Sequence, residues 1–160
     1  MSRHLGVAVT VSVLACATAI PAGAGERQQI SSTVFGDVMV TPLELGARHQ
    51  FVTMTTQEVV VRAGLDEAHP LQNLSGRCGA SVEVKEGTAK GGGYCVYTNP
   101  KGGKWVMSFN VGPEADSGTF EITGIEGNTS GWKGSGKWGQ TVDFGERRFV
   151  QRWTGSIERP

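Results

Sequence analysis

Apolar side chains in this chain fall in short runs separated by glycine-rich turns, and no stretch of a dozen residues holds them at helical spacing. The pattern predicts an antiparallel all-β domain over residues 31–160. The first strands are expected at Val34 to Val40 and at Gln50 to Arg62, the latter as two strands or one bent strand. Ala63 to Ser75, with Asp66, His69-Pro70 and Asn73, reads as the longest irregular stretch, and residues 25–30 as a polar, mobile terminus.

From Cys78 onward, pairing can be counted residue by residue. If Lys85-Glu86-Gly87-Thr88 forms a turn, Val84 faces Ala89 and Cys78 comes directly opposite Cys95. Opposed positions bring Cβ atoms within bonding range, so hairpin and disulfide support each other. Gly91 to Gly93 then face Val82 to Ala80, where absent side chains admit a close approach. Asn99 to Gly103 is a second turn, leading to Trp105-Val106-Met107-Ser108-Phe109, whose odd positions are bulky and core-facing. Gly118 to Thr123 follows, with Phe120 and Ile122 on one face. In the last hairpin, Gly145-Glu146 carries the signature of a two-residue type II′ turn. That turn sets Phe144 opposite Arg147, Val142 opposite Phe149, Gln140 opposite Gln151, Trp138 opposite Trp153, and Asp143 opposite Arg148.

Glycines at 127, 131, 134 and 136, with Trp132 and Trp138, fit tight corners in a closed or strongly curved sheet. The expected architecture is an up-and-down β-barrel of about eight strands, with a β-sandwich as the alternative. A phosphate-binding loop is excluded, because Gly136-Lys137-Trp138 opens a strand where such a loop needs Gly-Lys-Ser/Thr opening a helix. The segment from Gly124 to Trp138 resembles the glycine-rich corner of the allene oxide cyclase and dirigent group of small β-barrels. Gly76-x-Cys78 with Gly92-Gly93-Tyr94-Cys95-Val96-Tyr97-Thr98-Asn99 is similar to a pattern in exported proteobacterial proteins of unassigned function. The resemblance implies a calycin-like barrel and no particular activity.

The N-terminus changes the picture of compartment. Ser2-Arg3-His4, the apolar run Leu5 to Ile20 and Pro21-Ala22-Gly23-Ala24 read as a signal peptide over 1–24 with cleavage before Gly25. The run is too short to anchor in a bilayer, so no membrane span is expected. Val13-Leu14-Ala15-Cys16 offers a rival lipoprotein site with lipid on Cys16. Loss of the leader removes Arg3 and Cys16, leaving 14 basic against 15 acidic side chains and a net charge of −1. That balance argues against nucleic-acid binding and against a basic membrane-surface patch. The two remaining cysteines, in an oxidising periplasmic or secreted setting, read as a disulfide.

Catalytic motifs are scarce. The mature chain has no Gly-x-Ser-x-Gly elbow and no zinc-ligand spacing, so neither metal nor cofactor is expected. Only His49 and His69 remain, and His69, before Pro70 in the long loop, is the better candidate. Glu83 points to solvent and pairs with Lys85 or a neighbour if the Val82 face is the core; otherwise Glu83, Ser81 and Tyr94 line a polar interior. Tyr94, Tyr97, Trp105, Trp138 and Trp153 join His69 and Glu83 as ligand-contact candidates, while Arg147, Arg148 and Arg152 read as solvated partners of Asp143 rather than an anion site. Two function classes follow: a binder of a small apolar or amphipathic molecule, or a barrel enzyme of cyclase, isomerase or lyase type. A purely structural envelope role is a further alternative.

Overall fold

A computed structural model describes residues 26–61, 69–145 and 147–160. The leader, the rival lipid site at Cys16 and Arg62 lie outside the described residues. Eight strands follow in order: β1 (Arg27–Gly46), β2 (His49–Val61), β3 (Leu74–Lys85), β4 (Thr88–Thr98), β5 (Lys104–Val111), β6 (Ser117–Glu126), β7 (Lys133–Gly145) and β8 (Arg148–Glu158). Each pairs antiparallel with the next, and β8 returns to β1, closing the sheet into a barrel rather than a sandwich.

Strand β1 departs from expectation at both ends. Residues expected to be a mobile terminus are already strand from Arg27, pairing with Glu158, and Ile30 is buried in the core. At its other end β1 runs on to Gly46, while pairing with β8 stops at Asp37. From Val38 to Gly46 one side of β1 therefore has no strand partner among the described residues. Val38 donates its N–H across that side to the Arg147 carbonyl at 2.7 Å. Because successive residues point to opposite sides, the nitrogen of Pro42, which carries no hydrogen, also faces the open edge.

The β3–β4 hairpin has the register counted from the sequence, with Val84 opposite Ala89 and Cys78 opposite Cys95. Its turn uses Glu86 and Gly87, both at positive φ, as a two-residue hairpin turn requires. The disulfide joins the two strands at a Cα separation of 4.0 Å. Gly93 faces inward, and a Cβ there would lie 2.1 Å from the Gly79 carbonyl oxygen, so the neighbouring strand occupies the space a side chain would need.

In the last hairpin the register holds at Trp138–Trp153 and Gln140–Gln151 and then slips. Irregularities between Gln140 and Val142 and between Asp143 and Gly145 put Val142 across from Val150, Asp143 across from Phe149 and Gly145 across from Arg148. The expected pairing of Asp143 with Arg148 is lost, and Val142 and Phe144 lie exposed while Phe149 is buried.

Alternation puts even-numbered residues of β2 and β3 inward, and odd-numbered residues of β4, β5 and β8. Trp105, Met107, Phe120, Ile122, Trp153 and Ile157 fill the core. One end is plugged by the turn before β3: the Pro70 carbonyl accepts from both Trp105 Nε1 and Asn99 Nδ2 at 3.1 Å, and Leu71 is buried beneath. No helix among the described residues is long and apolar enough to cross a membrane.

Candidate functional site

Toward the end opposite the plug, the barrel interior contains a cavity of about 320 Å³. Its walls include Met54, Met107, Phe109, Trp138, Phe149 and Trp153, so most of the surface a ligand would meet is apolar or aromatic. Asp143, Gly145, Arg147 and Arg148, from the β7–β8 hairpin, line its mouth. The disulfide of Cys78 and Cys95 forms part of the wall.

The acid inside is Glu58, beside Thr56 and Gln151, and nothing in the sequence singles it out. Alternation on β2 turns it inward with Met54, Thr56 and Val60, and the side chain is only 7% exposed. Thr56 Oγ1 donates to Glu58 Oε1 at 2.7 Å, and the Tyr97 hydroxyl donates to Oε2 at 2.5 Å. The same hydroxyl lies 3.4 Å from Cys78 Sγ, a sulfur that has no hydrogen to give and can only accept. Burial raises the Glu58 carboxyl above its usual range, against the lowering effect of the two hydrogen bonds. Burial, with the nearby Glu58 carboxylate, pushes the Tyr97 phenol well up, so it stays protonated as a donor. Glu58, Cys78 and Cys95 present ligand-type atoms within 4.8 Å of one another, but the two sulfurs are joined to each other and offer no thiolate.

The candidates read from the sequence separate into three places. Trp138 and Trp153 line the cavity, and Tyr97 stands behind Glu58 with its ring against Trp153, centroids 5.6 Å apart in an edge-on arrangement. Trp138 also donates from Nε1 to the Asn110 carbonyl at 3.2 Å, so the matched tryptophans are both core packing and cavity wall.

His69 and Trp105 belong to the plugged end. The Leu71 N–H donates to His69 Nδ1 at 3.2 Å, which leaves the ring proton on Nε2 to bond Gln28 Oε1 at 3.0 Å. Trp105 is fully buried below the cavity. Neither is brought to the cavity, because the plug lies at the other end of the barrel.

Glu83 and Tyr94 lie on the outside. Val82 is buried, so its neighbour Glu83 turns outward, and its partner is His49 across β2 and β3 at 2.7 Å rather than Lys85. Tyr94 is 68% exposed. Around it a broad outer depression is lined by small polar side chains such as Thr53, Ser81 and Ser108, open to solvent and without the enclosure of the interior cavity. Arg152 is exposed opposite Gly139, whereas Arg147 and Arg148 belong to the cavity mouth.

Residue pattern alone does not single out Glu58, because Val59-Val60-Val61 beside it blurs the period and its partner Tyr97 lies 39 positions away. Compared with known proteins, the chain matches no family model and no curated protein.

Proposed function

We propose that the protein works outside the cytoplasm as a binder of one small apolar or amphipathic molecule, held inside the barrel. The observation that carries this reading is the cavity itself: a concave, mostly aromatic and aliphatic site with a small set of polar groups, Glu58 and Thr56 within and arginines at the mouth. Its size is near the lower limit of ordinary small-molecule sites. The disulfide and the leader-like N-terminus support an exported protein, periplasmic or secreted. Native mass spectrometry of protein purified without denaturation is expected to show the chain lacking residues 1–24, two hydrogens lighter than the dithiol, with a co-purifying small molecule. A chain that takes up no apolar probe in its interior overturns the binding reading.

A second reading is favoured by Glu58. A buried carboxyl whose hold on its proton is strengthened by burial, opening on an apolar cavity, is the arrangement of a general acid, as a cyclase, isomerase or lyase would need. The glycine-rich resemblance to allene oxide cyclase and dirigent barrels points the same way. Conversion of the extracted molecule on incubation with fresh protein, lost in Glu58→Gln while binding is retained, is the outcome that selects the enzyme over the binder.

A further inference from the structure

We infer that the cavity takes a cationic amphiphile, a small alkyl- or aralkylamine, with its ammonium head on Glu58 and its apolar body against Phe109, Trp138 and Trp153. The inference rests on the binding reading above and adds the charge and orientation of the ligand.

Glu58 is arranged as an anion that lacks a counter-ion. Both of its hydrogen-bond partners, Thr56 and Tyr97, are neutral donors, which suits an ionised carboxylate. A carboxylate has about four lone-pair positions, and these donors take two of them, so acceptor capacity is left for a ligand. No salt bridge among the described residues includes Glu58. An unpaired charge is costly to bury, and the carboxyl holds its proton more tightly as a result. A proton relieves that cost, and so does an ammonium group.

Aromatic rings stand on both sides of this carboxyl. In the sheet Glu58 lies between Gly36 on β1 and Gly76 on β3. A Cβ at Gly36 would strike the ring of Phe149, and one at Gly76 the ring of Tyr97, so the two rings fold over the glycines that flank Glu58. Trp153 packs against Tyr97 and continues the wall with Phe109 and Trp138. Ring faces attract cations, more strongly where water is excluded. An ammonium on Glu58 therefore meets a carboxylate and aromatic rings together, whereas a second carboxylate meets repulsion and an alcohol only a neutral hydrogen bond. The mouth carries charges of both signs, with Asp143 beside Arg147 and Arg148, and Asp37 opposite Arg148 on β1, so selection by charge falls to Glu58. The titratable side chain bonded to Glu58 is the Tyr97 phenol, which stays protonated, and the sulfurs of Cys78 and Cys95 within 4.8 Å are joined as the disulfide. The cavity volume equals the liquid share of about ten waters, which suits an amine of roughly that many non-hydrogen atoms.

Octylamine, 1-octanol and octanoate, titrated into the oxidised protein with tryptophan fluorescence as the readout, test the inference, since Trp138 and Trp153 line the cavity. Octylamine is expected to bind about tenfold or more tighter than octanol, as a hydrogen bond to a charged group implies, and octanoate to bind most weakly. The ammonium displaces the Glu58 proton, so the preference for the amine should grow as pH is taken upward from the ordinary carboxyl range. Calorimetry at the acid end of that series, in buffers of differing ionisation enthalpy, should record a proton released with octylamine and none with octanol. In Glu58→Gln the amine should lose both its advantage over octanol and its proton release, with the thermal melt confirming that the barrel is folded. Octanol binding as tightly as octylamine, or an amine preference that survives in folded Glu58→Gln, overturns the inference while leaving the apolar cavity intact. If that variant does not fold, proton release in the parent decides, and its absence overturns the inference. Failure of all three chains to bind overturns the inference together with the reading beneath it.

Discussion

At Glu58, burial and hydrogen bonding pull in opposite directions, and burial wins. The folded protein therefore holds this proton more tightly than the unfolded chain does. The stabilisation is fully present with the carboxyl protonated, and it is lost as pH rises from the unfolded value through the raised folded one. Thermal melts taken upward in pH from the ordinary carboxyl range should show Glu58→Gln gaining stability relative to the parent as pH rises. A difference between the two proteins that stays constant across the range contradicts the assignment. Tyr97→Phe removes one of the two donors to this carboxyl and is expected to cost about 1–3 kcal/mol in urea denaturation. It should also move the Glu58 titration further up, because the lost bond is one that lowers it. Glu58 was not legible beforehand, for a physical reason: a lone acid between threonines and valines reads equally well on either face of a strand, and closure of the ring decides which face is inside.

The two hairpins contrast in how much their residues reveal. In β3–β4 a glycine-containing turn and two cysteines fix the same register independently, and the structure has it. In β7–β8 the turn alone was the guide, and two irregularities near it shift the last pairs by one and then two residues. What survives is the part far from the turn, where Trp138 and Trp153 stand opposite one another and are both buried. The inward glycines of β4 can be tested directly. Gly93→Ala would press a methyl against the Gly79 carbonyl and is expected to cost about 1–3 kcal/mol, as overpacking does. Gly79→Ala, where nothing lies within 4 Å of the added carbon, should stay within about 0.5 kcal/mol of the parent. Equal losses at the two positions would show that strand curvature, not contact, makes glycine necessary on β4.

For the molecule as a whole, the fold class and an approximate strand count were legible from turns and alternation, whereas the plugged end, the mouth and the cavity between them were not. Those depend on which residues meet across the ring, as Trp105 meets Pro70, and no local pattern encodes such meetings. The open edge of β1 is a property of the same scale. Closed barrels avoid exposed edges, and this open stretch carries a proline whose nitrogen has nothing to donate. Pro42→Thr should restore a donor to that edge and increase concentration-dependent self-association in sedimentation velocity. A sedimentation coefficient that matches the parent at every concentration would mean that the edge is protected by some other device.

Every pairing in the ring but one joins neighbours in sequence, and the exception sets Arg27 against Glu158. A chain made from its N-terminus has β1 ready before β8 exists. Hairpins and their staple can form in that interval, but the seam cannot, and pairings between distant residues are slow to form even once both partners are present. Maturation of this protein therefore has a waiting period, during which the future cavity is an open apolar trough with bare margins. Its success in the cell depends as much on how that trough is kept from other chains as on how stable the finished ring becomes.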